Sequence, residues 1–113
     1  MKEIKKMEET DGISRKDPLA VIKKLDEDVF NSIKNLEEIA FSDGEIPVKY
    51  KILMAMVIDA VLGAEEGVKS LVKAAIDVGA GKKEIAEALR VAYYVGGAGS
   101  IYTAARGLRD LKI

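Results

Sequence analysis

The stretch AAIDVGAGKKEIAEALRVA, residues 74–92, holds two helical patterns on either side of Gly79. Before it, Val68, Leu71, Val72, Ala75 and Ile76 recur at the spacing of one helix face. Gly79 is a good C-terminal stop for that helix, because glycine accepts the left-handed backbone such ends use. After it, Ile85, Ala88, Leu89 and Ala92 mark the inward face of a second helix. A helix, a tight glycine turn and a helix are therefore written into nineteen consecutive residues.

Reading outward keeps the same character. Upstream, Gly63 breaks the pattern, and Glu65 and Glu66 follow as first-turn acids that suit the helix dipole. Before it lies IPVKYKILMAMVIDAVLG, residues 46–63, with Pro47 expected just inside a helix. From Ile52 to Leu62 this helix is apolar on every face except at Asp59. A helix apolar all round is buried all round, and one small domain has trouble covering it. Self-association is the expectation, with the central helix of a monomeric bundle as the alternative.

Further upstream, Asp17 and Pro18 carry a helix start. Val29, Ile33, Leu36 and Ile39 or Ala40 then form an amphipathic stripe, flanked by Phe30 and Phe41. Gly44 is expected as a left-handed turn residue closing that helix. Residues 1–16 are polar and read as an arm or a short helix ahead of a single helical domain over 17–113. Downstream, Gly96, Gly97 and Gly99 precede a last helix expected to start near Ser100. The glycine-rich GGAGS has no preceding strand and no following Lys-Ser or Lys-Thr, so a phosphate loop is the weaker reading. A close helix–helix turn is the better one. No run alternates as a strand would. The class is all-α, with about six helices.

Composition narrows the chemistry. The chain has 113 residues, and its formal net charge is −1. That balance gives no electrostatic case for nucleic acid or a membrane surface. There is no Cys and no His. A disulfide, a thiolate nucleophile and the commonest near-neutral acid or base are all excluded. No metal site or cofactor is expected; a hard cation would have to be held by carboxylates alone. No secretory leader is visible, and the longest apolar run is too short for a membrane span, so a cytoplasmic location is expected. Charged residues are 33% of the chain, there is no Gln, and Asn occurs only at 31 and 35, which leans towards a thermophile.

The segment LGAEEGVKSLVKAAIDVGAGKKEIAEALRVAYYVGGAGSIYTAARGL, from Leu62 to Leu108, resembles the carboxymuconolactone decarboxylase family, which includes the alkylhydroperoxidase D-like proteins. The likeness runs from about Ile46, and its most specific part is the stretch quoted first. It implies an all-helical subunit assembling as a homotrimer or homohexamer. It also implies one of two chemistries: decarboxylation of a muconolactone, or peroxide reduction by a Cys-x-x-Cys with a His and a Glu. Carried over residue by residue, the thiol site falls on Ala64 and Gly67, the His on Leu71 and the Glu on Ile52. None of these four supports a disulfide relay. The decarboxylase members also use a His, and this chain has none.

What could stand in is limited. Asp59 lies seven residues after Ile52, on the same helical face. A carboxylate among apolar side chains is a candidate acid or base; the alternative is a pair with Lys69, Lys73 or an Arg of the last helices. Tyr93, Tyr94 and Tyr102 are candidates to line a pocket, and Arg90 and Arg106 to bind a small carboxylated ligand. Core, interface or surface ion pairs are the bland readings of the same five residues. Two functions follow: a non-redox ligand-binding or scaffold oligomer, or an enzyme of the lactone decarboxylase type working through Asp59, Tyr and Arg.

Overall fold

The computed structural model describes residues 17–113, so the expected N-terminal arm, residues 1–16, lies outside the described residues. Six helices follow in order: α1 (Leu19–Leu25), α2 (Glu27–Ala40), α3 (Val48–Leu62), α4 (Glu65–Asp77), α5 (Lys82–Gly96) and α6 (Ala98–Leu108). There is no strand among the described residues. The fold is all-α, as the periodicity indicates. The chain divides into two compact units, one ending at Ala40 and one spanning Phe41–Ile113.

The first unit is the pair α1 and α2. Asp17 is its start signal: the carboxylate accepts from the Leu19 amide at 2.9 Å. Asp26 separates the two helices and accepts from the Val29 amide at 3.1 Å. Each satisfies an amide that a helix start leaves unpaired. The buried side chain of α2 is Phe30, with the Lys23 and Lys34 ammonium groups 5.4 and 5.8 Å from its ring centre. The stripe Val29, Ile33, Leu36 and Ile39 is exposed instead. The amphipathic pattern is real, but α1 does not cover its apolar face.

The second unit packs α3, α4, α5 and α6 around Met56, Val68, Val72, Ala75 and Ala92, all inaccessible to solvent. Before α3, the Asp43 carboxylate accepts from the Val48 amide at 2.9 Å, and the Lys51 ammonium donates to the Ser42 carbonyl at 2.7 Å. Gly44 is not left-handed, contrary to expectation: the described positive-φ residues are Gly63, Gly79 and Gly97. The turn is closed by the Asp43 cap, which needs no unusual backbone. Pro47 sits one residue outside the helix, in an extended conformation.

Gly63 and Gly79 end α3 and α4 in the same way. The Ala64 amide donates to the Asp59 carbonyl at 2.9 Å, and the Gly63 amide to Ala60. The Ala80 amide donates to the Ala75 carbonyl at 2.9 Å, and the Gly79 amide to Ile76. These are paired Schellman closures, and each needs the left-handed residue that glycine supplies. At the head of α5, Glu84 reaches back to accept from the Gly81 amide at 3.0 Å.

The last helix starts at Ala98, two residues earlier than its sequence suggested. Ser100 is within the first turn, where its buried hydroxyl shares its one donor between the carbonyls of Gly97 and Ala92, at 2.6 and 3.0 Å. A Cβ on Gly96 would come within 2.6 Å of the Val61 side chain, and one on Gly107 within 2.7 Å of the Glu65 carbonyl. Gly96 of GGAGS therefore lets α3 and α5 approach, and Gly107 lets α6 approach the start of α4. α6 runs from the end of α5 to the first turn of α4.

Candidate functional site

Helix α3 decides where a site can form. Its buried residues are Ile52, Leu53, Met56 and Ala60. Three of its other apolar side chains stay largely exposed: Met54 at 49%, Ile58 at 57% and Leu62 at 74%. The expected burial on every side is not reached within the second unit, where α4, α5 and α6 pack against α3. Helices α3 and α5 run in the same direction. Lys49 and Glu84 pair at their N-terminal ends, and Val61 meets Gly96 at their C-terminal ends. Between them lies an open groove of about 800 Å³.

The floor of the groove is apolar, formed by Leu53, Met54, Val57 and Ile58 of α3 with Ala88 and Val91 of α5. Its polar groups are Tyr50, Glu84 and Glu87. Lys49 Nζ is 3.0 Å from Glu84 Oε2 and 4.9 Å from the centre of the Tyr50 ring. The Gly81 amide first, and Lys49 second, hold the Glu84 carboxyl below its ordinary range. The Glu84 hydrogen bond in turn raises the Lys49 ammonium. Glu87 has no hydrogen-bond or ion-pair partner among the described residues.

The residues singled out from sequence lie elsewhere. Ile52 is buried in the core, and Leu71 packs against that core. Ala64 stands at the N-cap of α4, and Gly67 lies in its first turn. Asp59 is half-buried beside Gly67, and a Cβ on Gly67 would come within 2.9 Å of Asp59 Cγ. The suggested partners of Asp59 do not reach it: neither Lys69, Lys73 nor an Arg pairs with it among the described residues. Arg106 donates from Nε to Glu65 Oε2 at 2.8 Å, which is the surface ion pair of the blander reading. Arg90, Tyr93, Tyr94 and Tyr102 are exposed. Asp59, Arg90, Arg106 and the three tyrosines do not line the groove.

Sequence reasoning missed the groove itself. A signal was present: Glu84, Glu87 and Val91 share a face of α5 at spacings of three and four, and Tyr50, Met54 and Ile58 share one of α3. That these two faces meet is tertiary information. Among the described residues, no group of three or more acidic residues could hold a metal ion. No described helix is long and apolar enough to cross a membrane.

This all-helical fold has known relatives. The model of the carboxymuconolactone decarboxylase family matches residues 27–110, and the chain belongs to that family. Its structure is similar to the crystal structure of a carboxymuconolactone decarboxylase family protein from Legionella pneumophila, with a TM-score of 0.75 and 26% identity. The match covers 80% of this chain and 81% of that one. No curated protein matches the sequence.

Proposed function

We propose that this chain is a non-redox member of the family that binds a small molecule with an apolar body in the groove between α3 and α5. The supporting observation is the groove: about 800 Å³, an apolar floor and a few polar groups, on a chain with no Cys or His. That volume and lining are ordinary for a small-molecule site. Family membership alone would not assign an activity, since function belongs to the site rather than the fold. At the family's thiol, His and Glu positions stand Ala64, Gly67, Leu71 and Ile52, which offer no nucleophile and no proton carrier. In this reading Asp59, Arg90 and Arg106 take no part in binding.

The same subunit is proposed to associate with copies of itself. Val61, Leu62, Tyr94 and Val95 lie where α3 and α5 end, and all four are exposed in the single chain. Contiguous apolar surface of this kind on a soluble subunit marks an interaction site. A trimer or hexamer is the expected state, and light scattering at micromolar concentration checks it. A clean monomer overturns the assembly.

Binding is tested with n-octanol as a neutral apolar probe, following methyl resonances by NMR. Shifts confined to Met54, Val57, Ile58 and Val91, and abolished by Val91→Glu, are the expected result. Absence of any saturable shift in the wild type overturns the ligand-binding reading.

A further inference from the structure

We propose that the ligand of the α3–α5 groove carries a cationic head, an ammonium group on an apolar body. This rests on the groove being a small-molecule site, and adds the class of molecule it selects.

The polar groups of the groove are gathered at one end. Glu84 and Tyr50 stand where α5 and α3 begin, and Glu87 one turn further along α5. Beyond them the lining is entirely apolar, through Val57, Ile58 and Val91. A molecule lying along the groove would therefore place one polar end against two carboxylates and a phenol ring. Lys49 is the cation at that end, and it is committed to Glu84. The groove lining itself holds two carboxylates and no cation; Lys49, outside the lining, pairs with Glu84 and leaves the Glu87 carboxylate without a partner among the described residues. Lys82 and Lys83 precede Glu84 on the first turn of α5 and, like Lys49, do not line the groove.

The chain's own side chain shows what this end accepts. Lys49 holds its ammonium between the Glu84 carboxylate and the face of Tyr50. A carboxylate together with an aromatic face is a favourable setting for a cation. The positive dipole ends of α3 and α5 also point here, and they would favour an anion. Each end already has a carboxylate on one amide, Asp43 on Val48 and Glu84 on Gly81. What remains for a ligand is the Glu87 carboxylate and the apolar floor.

The experiment compares n-octylammonium, n-octanol and n-octanoate on the full chain, reading the methyl shifts of Met54, Ile58 and Val91 at low ionic strength. An exposed charge pair favours its partner by roughly two- to five-fold in affinity. Octylammonium is expected to bind tighter than octanol by about that factor, and octanoate more weakly than either. Glu87→Gln should bring the octylammonium-to-octanol ratio to about one. Added salt should reduce the same ratio. If octanol binds as well as octylammonium, or octanoate binds best, the cationic head is wrong while the groove remains a ligand site. If the ratio survives in Glu87→Gln, the assignment to this carboxylate is wrong. If none of the three probes shifts the groove methyls, both this inference and the reading beneath it fall.

Discussion

The Asp59 carboxylate occupies the space that a side chain at position 67 would need, with its Cγ 2.9 Å from where a Gly67 Cβ would stand. The same aspartate closes α3 through its backbone, by accepting from the Ala64 amide. One residue thus fills the junction from both sides, and the glycine is what lets it do so. A double-mutant cycle tests this. Alanine is favoured over glycine inside a helix by about 1 kcal/mol. Gly67→Ala should stabilise the Asp59→Ala background by roughly that amount, since the two Cβ atoms then stand 3.5 Å apart. In the wild type the carboxylate must rotate away, so the gain should be smaller by about 1 kcal/mol or reversed. Urea unfolding of the four proteins measures the coupling, and additivity would contradict the packing described.

Introducing thiols at this junction is governed by the same contact. Ala64 and Gly67 stand at the N-cap and in the first turn of α4, the helix-start setting that lowers a thiol pKa. Ala64→Cys with Gly67→Cys should form an internal disulfide more readily when Asp59→Ala is added. Thiol titration after mild oxidation reads this directly. Ile52 is best left alone, because a Glu there would bury an unpaired carboxylate. Without such changes the protein should show no dithiol-dependent peroxide turnover, having no sulfur except that of four Met residues.

Gly96 and Gly107 separate two kinds of close approach. A Cβ on Gly107 meets the Glu65 carbonyl, which is backbone and does not yield. Gly107→Ala should cost about 1–3 kcal/mol by overpacking. A Cβ on Gly96 meets the half-exposed Val61 side chain, which can turn. Gly96→Ala should cost clearly less. Thermal unfolding in one buffer ranks the pair, and the reverse order would contradict the contacts.

The Lys49–Glu84 pair predicts a pH dependence whose sign can be worked out. The folded Glu84 carboxyl lies below its unfolded value, so its contribution is present above that value and lost as pH falls through the folded one. The folded Lys49 ammonium lies above its unfolded value, so its contribution is complete below that value and lost as pH rises through the folded one. The pair therefore helps across the neutral range and fades at both extremes. Glu84→Gln keeps an acceptor for Gly81 and removes the charge. The melting-temperature difference between wild type and Glu84→Gln should shrink in acid. It should be small throughout, because the pair is solvent-exposed.

Arg106 and Glu65 make a surface pair at 2.8 Å. A cycle of Arg106→Ala and Glu65→Ala should give a coupling of about 0.2–1 kcal/mol that weakens with salt. Arg106→Ala should leave groove binding of octanol unchanged.

The sequence by itself determined the helices and their ends. Periodicity placed Val68, Val72 and Ala75 inward, and Gly63 and Gly79 stop helices because a left-handed residue is needed there. These are local properties, set by backbone sterics and by the nearest amides and carbonyls. Even their errors were local: Gly44 was given a turn that the Asp43 carboxylate closes, and α6 was started two residues late because the Ser100 hydroxyl bonds within its first turn. The absence of Cys and His was equally decisive, since no fold can supply a missing atom. The groove was of another kind. Tyr50 and Glu84 are thirty-four residues apart, and nothing local makes α3 and α5 run side by side. Only packing did that, bringing two ordinary helix faces together and leaving Asp59, the most conspicuous residue of the sequence, against a glycine outside the groove they form.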